Sequence, residues 1–249
     1  MGRCVVDLFP PAPRPTVETG VAKLARVARP ARTERASDRV NDEISSAIRD
    51  MRLAPGAVLS ETELALQLGV SRTPLREAIA RLVDLGLLTV VSQVGTRVSL
   101  IDLAEVEEAC FIRCALETAV FRRACETGAR DVNVLRQILV RQEIAVATQD
   151  VEAFFASDED LHQEIFRLGG HPDAWTVVRR SKLQLDRLRR LIIPGAIASR
   201  DLIEEHSRIV ELLEAGDVEA GVRLLTDHSG HVLRQAPDVR TRYPEYFTA

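Results

Sequence analysis

Between residues 38 and 99 the apolar positions change period twice. In DRVNDEISSAIRDMR, residues 38–52, Val40, Ile44, Ala47, Ile48 and Met51 recur at intervals of three and four. That spacing predicts an amphipathic helix with those side chains inward. Leu53-Ala54-Pro55-Gly56 then ends it in a turn. Residues 60–81, SETELALQLGVSRTPLREAIARL, hold two more short amphipathic segments. The first runs from Glu61 to Leu68, with Leu64, Ala65 and Leu68 on one face, and Gly69 supplies a turn where positive φ costs little. The second runs from about Ser71 to Leu85. Ser71 or Thr73 can cap it, Pro74 sits in its first turn, and Leu75, Ile79, Leu82 and Val83 form its inward stripe. After Gly86 the period shortens. LLTVV at 87–91, a turn over SQVGT and a return over RVSL predict a two-stranded hairpin with Gly95 at its tip.

Helix, tight turn, helix and hairpin make a winged helix-turn-helix. Such a module sends the N-terminal end of its second helix into the DNA major groove. The stripe assignment leaves Arg72, Thr73 and Arg76 exposed at that end, and Arg reads guanine O6 and N7 bidentately. Gly95, Thr96 and Arg97 in the hairpin are the companion candidates for DNA contact.

Residues 102–236 keep a helical period almost throughout, with no strand-like alternation. Six helices are expected, at about 102–127, 131–148, 150–168, 172–192, 199–214 and 217–235. The breaks fall at Glu126-Thr127-Gly128, Gly169-Gly170-His171-Pro172, Pro194-Gly195 and Ala215-Gly216-Asp217. An all-α bundle of this size can enclose a pocket between its helices.

Composition narrows the class. A chain of 249 residues, 46% of them hydrophobic, has enough apolar material for one or two cores. No apolar run reaches membrane-spanning length and no signal-peptide core precedes the pattern, so a cytoplasmic protein that needs no membrane is expected. Cys4, Cys110, Cys114 and Cys125 read as small apolar residues in a reducing compartment. The net charge of −4 is not that of a uniformly basic nucleic-acid binder. Residues 1–37 carry +4, residues 38–99 carry −1 and residues 100–249 carry −7. Positive charge in the winged segment is therefore local, at Arg72, Arg76, Arg81 and Arg97, and affinity would rest on dimerisation and a few arginines. The first 35 residues, rich in Pro, Ala and Arg, read as a flexible arm, with a short basic helix at 17–28 as the alternative.

Within the bundle the scarce histidines stand out. Asp158 and His162 are spaced i, i+4 and share a helix face, while His206 and His228 lie on the fifth and sixth expected helices. One carboxylate and three imidazoles suit a divalent ion such as Zn²⁺, Ni²⁺ or Mn²⁺. By spacing alone a surface hydrogen bond is the commoner explanation of an Asp–His pair. His171 reads as a loop residue, and His231 as a substitute for His228 or its partner.

RLAPGAVLSETELALQLGVSRTPLREAIARLVDLGLLTV is similar to the DNA-binding domain of the GntR superfamily of bacterial transcription regulators. It matches PG-x-x-L-x-E-x-x-L-A-x-x-x-G-V-S-R-T-P-x-R-E-A almost throughout. It departs at Glu61-Thr62-Glu63, where many members place an Arg or Gln. Residues 102–236 resemble the FCD effector domain of the FadR branch. The matching pieces are R-x-x-L-E at Arg113 to Glu117, D-x-x-x-H at Asp158 to His162, E-H-x-x-I at Glu205 to Ile209, and A-G-D near Ala215 followed by His228. Six helices would place it in the VanR-like subset. The resemblance implies that Asp158, His162, His206 and His228 hold a divalent metal, and that Arg113 clamps a small carboxylic-acid effector. The chain as a whole then reads as a mainly α protein: arm 1–35, winged domain 36–100, FCD-like helical bundle 101–237 and tail 238–249. Its expected role is a homodimeric, ligand-responsive regulator of double-stranded operator DNA, a repressor by the resemblance. A metal-dependent hydrolase and a regulator with a purely structural metal are the alternatives. Neither an evident general base nor a use for SRTPLRE supports the first.

Overall fold

A computed structural model describes residues 24, 35–91, 95–128 and 131–249. The expected N-terminal arm, with its segment 17–28, therefore lies almost wholly outside the described residues, as does most of the SQVGT turn. The chain divides into two compact units. One contains residues 104–239 and the other residues 35–103 with 240–249.

The winged unit begins with α1 (Ala36–Arg49), which buries Val40, Ile44, Ala47 and Ile48 as its period predicts. Met51 is only half-buried, because the helix has ended and Met51 takes a positive φ of 60°. A two-residue strand β1 (Val58–Leu59) leads into α2 (Glu61–Leu68). Ser60 caps α2 by accepting from the Glu63 N–H at 3.3 Å, and Gly69 closes it in the left-handed conformation at φ 67°. Helix α3 (Arg72–Asp84) buries Leu75, Ala78, Ile79 and Leu82 against α1 and α2. Strands β2 (Leu88–Val91) and β3 (Gly95–Val98) form the hairpin. The sheet has a third strand that the pattern does not announce. β1 pairs antiparallel with β3 through Val58↔Arg97 and Leu59↔Thr96, giving the order β1-β3-β2. Two residues are too few for an alternation to register.

The end of the chain returns to this unit. Ile101 bridges to Phe247 in parallel, its N–H donates to the Tyr246 carbonyl at 2.8 Å, and Thr248 N–H donates to the Ile101 carbonyl at 3.0 Å. The expected tail at 238–249 is thus corrected. Tyr246 and Phe247 are buried, so aromatic burial and two backbone hydrogen bonds fix the segment.

The helical unit contains α4 (Leu103–Thr127), α5 (Asn133–Thr148), α6 (Val151–Leu168), α7 (Ala174–Ser181), α8 (Leu183–Ser199), α9 (Asp201–Ala215) and α10 (Val218–Arg242). These are seven helices among the described residues, one more than expected. The expected helix at 172–192 is interrupted at Lys182, and α8 continues through the supposed break at Pro194. Lys182 is buried with its ammonium on Glu159 and Asp186, at 2.6 and 2.7 Å, so a tertiary ion network rather than a Gly or Pro marks the interruption. α5 lies along α6 and α9, and the core joins Val120, Phe121, Leu161, Ile165, Phe166, Trp175, Ile209 and Leu225. Gly221 lets α10 approach α4: a Cβ there would run into the ring of Phe121, which is fully buried.

Candidate functional site

The centre of the helical unit is polar. His162 on α6, His206 on α9 and His228 on α10 are all buried, and one ligating atom from each lies within 4.8 Å of the others. Their ring centroids are 5.0 to 5.6 Å apart. Each helix brings its histidine inward because the residue falls on the buried stripe, as His206 does with Ile203, Ile209 and Val210.

Partners around the rings fix which nitrogens carry protons. His206 Nδ1 meets Gln142 Oε1 at 2.9 Å and His228 Nδ1 meets Glu205 Oε2 at 2.8 Å. Both oxygens accept, so each Nδ1 donates and each Nε2 keeps its lone pair. Burial first, and then the neighbouring imidazole, pushes the His206 pKa well below its ordinary 6.5. Burial lowers that of His228 as well. Neutral imidazoles are the form that ligates metals.

Asp158 is fully buried beside this trio. Its Oδ1 lies 3.5 Å from His206 Nε2 and 4.0 Å from His162 Nε2. Its Oδ2 accepts from Arg189 Nη2. Burial alone would raise the Asp158 pKa, but the Arg189 guanidinium holds it well below the usual carboxylate range. Asp158 Oδ1 and His206 Nε2 have no hydrogen-bond partner among the described residues. Two electron-rich, desolvated atoms facing each other are costly unless something positive joins them. Their separation is close to the about 3.4 Å between two ligands of a tetrahedral ion bound at about 2.0–2.1 Å. The residues present therefore fit a divalent cation.

Arg113 on α4 adjoins the trio. Its Nε donates to Glu117 Oε1 at 2.8 Å, and its Nη2 lies 2.7 Å from His162 Nε2. A guanidinium only donates, so this imidazole nitrogen accepts. A cation and Arg113 would compete for it. Glu117 Oε1 is 3.2 Å from the other ring nitrogen of His162. Burial would raise the Glu117 pKa, but Arg113 and His162 outweigh it and hold it far below its usual value.

The structure thus brings together His162, His206 and His228, sets Asp158 and Arg113 beside them, and leaves two histidines outside. His171 is an exposed loop residue, and His231 is half-buried against Gln235. Arg187 is buried and donates to Gln184 at 2.8 Å, whereas Arg190 lies over the Phe155 ring. The arginine of α8 that reaches the site is Arg189, which nothing in LDRLRRL distinguishes from its neighbours. Gln142 did leave a signal, as a polar residue on the buried stripe of Leu135, Ile138 and Ala145. Cys110 and Cys125 are buried, and burial pushes the Cys110 thiol up to about 11, in keeping with an inert apolar role.

On the winged unit Arg72, Thr73 and Arg76 are exposed on the first turns of α3. Glu61, from the sequence departure on α2, takes Arg76 Nε at 3.1 Å. In β3 the alternation turns Gly95 and Arg97 away from the core, but Thr96 is only 4% exposed. Its side chain is therefore removed from the candidate contacts, since neighbouring strand residues face opposite ways.

Comparison with known proteins decides the family. Residues 36–98 match the bacterial regulatory proteins of the gntR family, and residues 108–231 match the FCD domain. The chain belongs to the GntR family. This GntR-family chain is a DNA-binding transcription regulator, and its relatives are regulators rather than enzymes. It is 38% identical over 198 residues to an uncharacterized HTH-type transcriptional regulator in an unstable DNA locus of Streptomyces ambofaciens, covering 79% of this chain and 83% of the relative. It is 31% identical to the HTH-type transcriptional repressor RspR of Escherichia coli K12, covering 79% and 86%. The E. coli McbR/YncC structure shares the fold, with a TM-score of 0.68 at 22% identity over 85% of this chain and 100% of that one.

Proposed function

We propose that this regulator is a homodimeric repressor whose helical unit binds a divalent metal and a small carboxylic acid, and releases operator DNA in response. The observation that carries the metal is a pair of atoms with no hydrogen-bond partner among the described residues, Asp158 Oδ1 and His206 Nε2, that face each other beside two further buried imidazoles. His162, His206, His228 and Asp158 would hold the ion. Bound there, it would supply a positive centre with open positions for an anion. Arg113 supports the acid. Its guanidinium is buried, and a ligand carboxylate is the bidentate acceptor it suits. An acid that drew Arg113 towards itself would also free His162 Nε2 for the metal, so the two ligands would help each other bind.

Repression is supported by relatives named as repressors, RspR and a probable D-xylose utilization operon repressor of Paenarthrobacter nicotinovorans, 34% identical over 77% of this chain and 84% of that one. Arg72, Thr73 and Arg76 from each of two copies would read the two halves of a pseudo-palindromic operator, with Gly95 and Arg97 at the backbone. Gel-shift titration at fixed salt with metal-loaded protein and a panel of small hydroxy, sugar and dicarboxylic acids tests the reading. The expected result is operator binding that one class of acid weakens. Binding indifferent to every acid and to chelation would leave a metal of purely structural role.

A further inference from the structure

We propose that the outer face of α4 pairs antiparallel with the same face of a second copy of this chain, about a two-fold axis at Ala115. This rests on the homodimer reading and deepens it. The inward face of α4 carries Val106, Ala109, Cys110, Arg113, Glu117, Val120, Phe121 and Ala124. The opposite face is exposed at Glu107, Glu108, Phe111, Ala115 and Ala119, and holds the most exposed aromatic side chain among the described large hydrophobics, Phe111, at 71%. Ala115 and Ala119 follow it at helical spacing, so the face offers one large knob beside two exposed small residues.

The charges along this face choose the occupant. Glu107 and Glu108 precede Phe111, and Arg122 and Arg123 follow Ala119. In an antiparallel pair centred on Ala115, Glu108 of one copy opposes Arg122 of the other, Glu107 opposes Arg123, and Phe111 meets Ala119. The same pattern in parallel would set Glu on Glu and Phe on Phe. A two-fold contact must be self-complementary, and this stretch is so only in the antiparallel sense. Within the chain Glu108 and Arg123 have no ion-pair partner among the described residues, and Arg122 meets Glu219 only at 3.6 Å with both side chains exposed. The rival apolar patch, Val140 and Ile144 on α5, is flanked by charges already spent. Arg136 pairs with Glu214, Arg141 with Asp160 and Arg200 with Glu143, at 2.6, 2.9 and 2.9 Å.

Full-length Ala115→Cys treated with a short bis-maleimide tests the axis, since residue 115 would face itself. A covalent dimer in high yield, absent from the unsubstituted chain, is expected. Sedimentation at micromolar concentration tests the face. Phe111→Glu should weaken the dimer at least tenfold, and Ile144→Glu should not. Both positions are exposed, and circular dichroism would report a fold lost for other reasons. Glu108→Arg should weaken association, and adding Arg122→Glu should restore it. A dimer that ignores Phe111→Glu and gives no cross-link at 115 overturns this interface while leaving the homodimer standing. An unsubstituted chain that sediments as a monomer overturns both.

Discussion

The same chemical pair appears in both units under opposite conditions. In the winged unit Arg81 meets Asp38 at 2.6 Å with side chains 44% and 41% exposed. In the helical unit Arg113 meets Glu117 at 2.8 Å with side chains 4% and 1% exposed. Water screens the first pair and is excluded from the second. The winged unit keeps its charge on the surface, where DNA phosphates and bases can take it. The helical unit buries charge on α4, α6 and α8 and at Lys182, and must balance each group with another. A change in the first should alter binding while sparing the fold, and a change in the second should alter both.

The largest expected effect comes from breaking the buried pair. Arg113→Ala leaves Glu117 buried without its main partner, and the loss should be about 3–5 kcal/mol in a denaturant melt. Replacing both members with apolar residues of similar volume, Arg113→Met with Glu117→Leu, should recover much of that loss while abolishing the response to acids. A single variant costing well under 1 kcal/mol would mean that other groups compensate Glu117, and the contrast between the units would collapse.

Next comes the ion. Binding only the folded state, it should stabilise by about 2.7 kcal/mol when free metal is a hundredfold above its dissociation constant. Chelation should lower the melting temperature, Zn²⁺, Ni²⁺ or Mn²⁺ should restore it, and His206→Ala should lose the response while His171→Ala keeps it. The metal-free protein should depend on pH in a set direction. His206 and His228 have folded pKa values below the ordinary 6.5, so the unfolded chain takes up protons first as pH falls. Their neutral burial therefore costs nothing above that value and becomes destabilising below it. Asp158, with its folded pKa lowered, adds stability above the usual carboxylate range that is lost in acid, the same sign. Thermal melts that are flat from pH 7 to 5 would contradict this.

Binding to DNA sharpens the other half of the comparison. Arg72→Ala should cost about 1–3 kcal/mol on the operator with unchanged melting, because the residue is exposed and is proposed to read bases. Arg97→Ala should weaken all sequences alike and lower the salt slope. A gel-shift series in which Arg72→Ala keeps its ratio of operator to random DNA would place readout elsewhere.

How far each unit could be read from sequence follows the same division. In the winged unit the local rules hold for most of the pattern: Ser60 caps α2, Gly69 ends it, and the apolar stripes fall on the buried faces, but Ser71 at the start of α3 makes no side-chain cap bond. Only β1, two residues long, depends on its partner β3. In the helical unit the interruption at Lys182 and the continuation through Pro194 are tertiary outcomes. The first is set by Glu159 and Asp186, residues on two different helices. The histidines were legible chiefly through the resemblance, since spacing places only Asp158 and His162 together. Arg189 was illegible because its role exists only where α8 meets Asp158.

The smallest effect should come from the exposed pair. Arg81→Ala removes the hydrogen bond that holds the Asp38 pKa below its ordinary value. With its folded value lowered, Asp38 contributes stability above the ordinary carboxylate pKa, and that contribution fades as pH falls through the folded value. Both partners stand in solvent, so the released carboxylate rehydrates and nothing is left buried and unpaired. Little change in melting temperature is expected at neutral pH, and less still at high salt, where the Debye length is about 3 Å at 1 M. The informative measurement is the pair of variants side by side. Salt should erase the difference between Arg81→Ala and the unsubstituted chain and leave the deficit of Arg113→Ala almost intact. If salt erased both, water would be reaching Arg113, and the closed polar centre that separates the helical unit from the winged one would have to be abandoned.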